Sequence, residues 1–73
     1  MAKHDVKTFM GKVKLVSKPI GNDMWYKVEG TSGAIHPVPM IGAGAAVKAS
    51  LGTPFNLYIV SKGMVTHYLL ERL

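Results

Sequence analysis

The chain has 73 residues, no cysteine, and a formal net charge of +5 from nine Lys/Arg against four Asp/Glu. That length suits one domain with no room for a second, and the missing thiols exclude disulfides and thiolate metal sites. The basic balance favours a polyanion (nucleic acid, acidic membrane or acidic protein) and argues against a mimic of DNA, which would be acidic; the plainer reading is a charge that only keeps a small protein soluble.

A hydrophobic fraction of 48% is enough for a globular core. The first residues lack an apolar stretch of signal-peptide length, and no apolar run approaches a membrane span. The expectation is a soluble, cytoplasmic protein. A core this small contributes only about 3–5 kcal/mol net, so a partner or a second copy would add useful stability.

In chain order, residues 1–5 are expected to fray and Val6 or Lys7 to open the first strand. Phe9, Gly11, Val13 and Leu15 alternate with Met10, Lys12, Lys14 and Val16, the side-chain period of a half-buried strand. Met24, Tyr26 and Val28 alternate in the same way with Trp25, Lys27 and Glu29. Between them, residues 18–23 are rich in turn formers. A symmetric hairpin sets Val16 opposite Trp25, Lys14 opposite Lys27 and Lys12 opposite Glu29. On its other face Leu15 meets Tyr26 and Val13 meets Val28. The aliphatic face then turns inward, and a Lys/Trp face meets water.

Residues 30–33 form a turn, and residues 34–41 read as a third extended segment. Pro37 and Pro39 stand two apart, so their missing N–H groups lie on one side, which suits an unpaired edge. Residues 43–51 predict a short helix of about two turns, stopped by Gly52 and Pro54. Phe55, Leu57 and Ile59 then alternate with Asn56, Tyr58 and Val60. Lys62-Gly63 suits a two-residue hairpin turn. The segment from Met64 pairs back as a strand, with Val65 opposite Val60, His67 opposite Tyr58 and Tyr68 opposite Leu57. Val65, Leu69 and Leu73 also fit a helical spacing, which is the competing reading of that segment.

Three strands, a short helix and two strands is the order of a small, mainly β, five-stranded OB-like barrel with one helix between strands 3 and 4. An SH3-like barrel, or an open antiparallel sheet packed on one helix, fits almost as well. Gly11 sits inside the longest strand, where a bend would let it serve two sheets.

Single-strand binders combine positive charge that follows phosphates with aromatic rings on which bases stack. Lys12, Lys14, Lys27 and Trp25 supply both on the outer face of the first hairpin, and Tyr58 and His67 extend the face from the second. The competing role for a sole tryptophan is a core position. Tyr26, Phe9, Phe55 and Tyr68 are assigned to the core. No helix here is long or basic enough to enter a major groove, so single-stranded DNA or RNA without strong sequence preference is the expected ligand.

Met10 and Val16 lie on the same outer face and suit instead a protein interface: an adaptor or inhibitor, for example a virus-encoded one, docking on a larger protein, or a homodimer. His4, His36 and His67 lie in separate segments with no metal-ligand spacing, so no metal or other cofactor is expected. Asp5, Asp23, Glu29 and Glu71 form no pair placed for acid–base work, and no nucleophile stands beside a base. The sequence therefore predicts a protein that is not an enzyme. The glycine-rich approach to the expected helix lacks a full phosphate-loop pattern; a bare helix N-terminus there would offer at most one anion contact.

Overall fold

The computed structural model describes residues 5–73. Of the segment expected to fray, only Asp5 lies within the described residues, and it is exposed; His4 lies outside them. The described elements are β1 (Val6–Ser17), β2 (Trp25–Gly30), β3 (Ile35–Pro39), two three-residue 3₁₀ turns (Met40–Gly42 and Gly44–Ala46), β4 (Pro54–Lys62) and β5 (Val65–Arg72). The five strands form one antiparallel sheet in the order β3-β2-β1-β4-β5.

β1 is the longest strand and pairs on both flanks, with β2 through Val13 to Ser17 and with β4 through Val6 to Lys14. The ladder to β4 shifts between Phe9 and Gly11, and Gly11 has a φ of 129°. Met10 is the extra, unpaired residue of this bulge, and a bulge adds bend and twist. It also inverts the alternation. Beyond it Val13 and Leu15 are buried, whereas Phe9 before it is 55% exposed. Phe9 is therefore not core, contrary to the strict period-two reading.

The inner face gathers Val13, Leu15, Tyr26, Val28, Val38, Phe55, Leu57 and Leu70, closed at one end by Ala43 and Ala46. Tyr68 packs against this cluster only partly buried. Fully burying one such aliphatic or aromatic side chain is worth about 1.5–3 kcal/mol. Ile59 is half-buried and Val60 buried, so the alternation expected in β4 weakens toward its end.

Both hairpins are offset from the symmetric expectation. Lys14 pairs with Glu29 and Leu15 with Val28, two positions from the expected partners. The offset comes from the turn, where the Asp23 N–H donates to the Ile20 carbonyl and Asp23 Oδ1 accepts from the Trp25 N–H. This Asx geometry starts β2 at Trp25 and leaves Met24, expected in the core, exposed. In the second hairpin Lys62 pairs with Val65, so the turn is Gly63-Met64 rather than Lys62-Gly63. Tyr58 then lies opposite Leu69, and His67 opposite Val60. A shift of two by itself keeps each side chain on its face. In the first hairpin a second irregularity follows at Val16, which Ser17 replaces as the next paired residue, opposite Lys27, so Val16 does not face Trp25 as expected.

The helix expected over residues 43–51 is absent, and no α-helix occurs among the described residues. The reason lies at Gly42, where a Cβ would sit 1.9 Å from the Tyr68 carbonyl oxygen. The chain must pass β5 that closely, and the first 3₁₀ turn achieves it. The helix N-terminus considered as an anion site therefore does not form. No helix among the described residues is long and apolar enough to cross a membrane.

The sheet curls until β3 approaches β5, yet it does not close into a barrel. Pro37 pairs with Lys27 and Pro39 with Trp25. Proline has no N–H, so these are the non-hydrogen-bonded pairs of the ladder and both ring nitrogens face the free edge. The side of β3 that would receive β5 lacks two donors. Across this seam the His36 and Tyr68 rings meet edge to face, with centroids 5.2 Å apart.

Gly42→Ala should destabilise the protein by about 1–3 kcal/mol, at the upper end because a backbone atom must yield. Gly44→Ala meets nothing within 4 Å and should change stability by less than about 1 kcal/mol, in the stabilising direction. Urea denaturation of both variants checks the contrast.

Candidate nucleic-acid interface

On β1 and β2 the outward positions alternate with the buried Val13, Leu15, Tyr26 and Val28. They carry Lys12, Lys14, Trp25, Lys27 and Glu29. Lys27 lies two residues from Trp25, about 7 Å along the strand, and Lys12 is about 20 Å farther along than Trp25. Lysines and indole thus stand in one file across two neighbouring strands. Lys14 Nζ lies 3.8 Å from Glu29 Oε1, a loose exposed pair worth well under about 1 kcal/mol. Lys12 and Lys27 have no ion-pair partner among the described residues.

Trp25 is 46% exposed. It lies opposite Pro39, and a non-hydrogen-bonded pair brings its two side chains close. Asp23 fixes the backbone that launches it. The indole is held at one end of β2 without being enclosed.

Two depressions adjoin the file. One, of about 530 Å³, lies beside Lys12, Lys14 and Glu29 and is floored by the Gly30–Gly33 turn with its Thr31 and Ser32 hydroxyls. The other, of about 270 Å³, is the seam itself, between Trp25, Pro37 and Pro39 on one side and Ile59, Thr66, His67 and Tyr68 on the other. His67 reaches Trp25's neighbourhood because the curl of the sheet carries β5 toward β3. Its Nδ1 lies 2.9 Å from the Tyr68 carbonyl oxygen. A carbonyl only accepts, so Nδ1 carries the proton and Nε2 is the acceptor in the neutral ring.

Tyr58 lines neither depression. It pairs with Phe9 and lies two residues along β4 from Asn56, the partner of Lys12, so it borders the Lys12 end of the file. The Tyr58 ring meets Phe9 edge to face at 5.4 Å and carries Lys7 Nζ 4.5 Å from its centroid. Lys7 also pairs with Glu71. That hydrogen bond is the main cause holding the Lys7 amine above the ordinary lysine value of 10.5; desolvation opposes it, and the charges of Glu71 and Tyr58 add to it.

Of the residues read from sequence, Lys12, Lys14, Lys27 and Trp25 share one file, His67 joins at the seam, and Tyr58 lies diagonally across from Lys12 on β4, outside both depressions. The prolines and Tyr68, which line the seam, were read from sequence as an unpaired edge and as core. The Pro-x-Pro spacing marked this edge without revealing that β5 would face it. Among the described residues no three His, Cys, Asp or Glu side chains gather as a metal site. No protein-family model matches the chain, and neither a curated protein nor a solved structure is significantly similar to it.

A raised lysine pKa stabilises the folded state fully below 10.5, and that contribution is lost as pH rises through the raised value. Glu71→Gln should therefore bring Lys7 back toward ordinary lysine behaviour in a side-chain NMR titration. At neutral pH the same substitution should leave the unfolding midpoint nearly unchanged, because the pair is exposed.

Proposed function

We propose that this chain is a non-enzymatic protein that binds single-stranded DNA or RNA without strong sequence preference, on an OB-like scaffold. The observation that carries the reading is the file of Lys12, Lys14 and Lys27 with the half-exposed Trp25 on the outer face of β1 and β2. Charge that tracks phosphates beside a ring that accepts a base face is the requirement for such binding. The file spans about 20 Å, a length that a few nucleotides cover.

The architecture supports this. Read around the curl, the strands run β1-β2-β3, across the seam to β5, then β4 and back to β1. That cyclic order is the one an OB barrel uses, and OB barrels are commonly partly open and bind oligonucleotides on strands 2 and 3. Trp25, Lys27, Pro37 and Pro39 occupy those two strands here. The two 3₁₀ turns stand where such a barrel carries its helix.

A second reading is favoured by a different surface. Val6, Phe9 and Met10 of β1 and Val65 of β5 are all exposed and line neither depression. An apolar flank of this kind suits a protein partner or a second copy. Sedimentation of the purified protein distinguishes them. A dimer dissociated by Phe9→Lys, with oligonucleotide binding retained, assigns that flank to self-association.

Binding of a short labelled oligonucleotide should weaken with salt. With three lysines neutralising phosphates, the slope of log affinity against log salt should be about −2, at roughly 0.7 per contact. Lys12→Gln and Lys27→Gln should each flatten it by about 0.7. Lys14→Gln should flatten it less, because Glu29 already offsets part of that charge. A slope unaffected by salt or by these substitutions would overturn the reading.

A further inference from the structure

We propose that the seam between β3 and β5 is a pocket for one unstacked nucleobase, inserted between the Trp25/Pro39 wall and the His67/Tyr68 wall. This rests on the nucleic-acid reading above and adds to it where, and how, a base is held. A ring stacked on an open indole is covered on one face only. The seam offers a second wall.

The gap exists because the chain cannot fill it. The missing donors at Pro37 and Pro39 keep β5 from zipping onto β3, while the His36–Tyr68 ring contact and the close pass of Gly42 along β5 hold the two sides at a fixed approach. The space left is about 270 Å³. That is just below the range of about 300–1,000 Å³ typical of pockets for drug-sized molecules, and so suits a single planar heterocycle. Its walls are an indole, two pyrrolidine rings and a phenol, flat surfaces with few polar atoms to desolvate.

The polar groups are sparse and mostly committed. The Thr66 hydroxyl is hydrogen-bonded to Ser61 at 3.0 Å. His67 Nδ1 is bound to the Tyr68 carbonyl, which leaves Nε2 as an acceptor for a base N–H, such as the ring N–H of thymine. Lys27 stands one alternation along β2 from Trp25, on the same face, about 7 Å away. It is placed to meet the phosphate of a nucleotide whose base enters the seam. No acidic residue lines the pocket, and the chain carries +5. Aromatic and proline-lined grooves also accept polyproline segments, but this charge favours a polyanion.

The test uses Trp25 as its own reporter, since it is the sole tryptophan. An oligothymidylate and the same length of abasic backbone are each titrated by anisotropy of an end label and by Trp25 emission. The expected result is quenching by the oligothymidylate alone and about five- to hundred-fold weaker binding of the abasic strand, the worth of one stacked base. Trp25→Ala should erase that difference and Trp25→Phe should restore part of it, with the salt slope unchanged in both. Equal affinity for both strands without quenching would overturn the pocket and leave the lysine file standing. Failure of both strands to bind would overturn the pocket together with the nucleic-acid reading. Quenching by a proline-rich peptide and not by the oligonucleotide would reassign the seam.

Discussion

Two absent backbone donors govern this molecule. A sheet of five strands, curled around a single small core, has two edges that approach each other. Closure requires that each edge offer N–H and C=O groups to the other. β3 presents ring nitrogens at Pro37 and Pro39 instead, so the curl stops short of a continuous ladder. The geometry of the candidate site follows from this: Trp25 beside Pro39, Lys27 beside Pro37, and His67 and Tyr68 across the gap.

The other edge is managed differently. β5 is covered by the chain between β3 and β4, which passes so near the Tyr68 carbonyl that only a residue without a Cβ fits at position 42. That contact accounts for the composition of residues 42–46. Alanines fill the end of the core at Ala43 and Ala46. Glycine lets the backbone approach. Local propensity favoured a helix there, and the tertiary requirement of close passage replaced it with two short 3₁₀ turns.

Much of the sheet was legible in the sequence because the period of two is a local property. Val13, Leu15, Tyr26, Val28, Phe55 and Leu57 turn inward as the alternation requires, and Lys12, Lys14, Trp25 and Lys27 turn outward. The edge position of β3 followed from proline chemistry alone. Register was not legible, since it depends on where a turn begins. The Asp23 side chain and the positive φ of Gly63 set that point by geometry that composition does not show. Phe9 was misassigned because a bulge resets parity, and Gly11 signalled a bend without giving its count. Within the site, Tyr58 and His67 were grouped by expected pairing. They stay on neighbouring paired strands, two residues out of the expected register; Tyr58 packs with Phe9 and Lys7, while the curl of the sheet brings His67 beside Trp25. Curvature is a property of the whole sheet and leaves no mark in any one strand.

The blunted rims have a bearing on crowding. A protein that coats a polymer sits shoulder to shoulder with its copies at very high local concentration, where an open strand edge would recruit its neighbour and seed fibrils. Here one rim carries prolines and the other lies beneath a loop. Were the chain to coat nucleic acid as proposed above, copies gathered on one strand would meet through side chains alone, and would separate again when that strand is withdrawn.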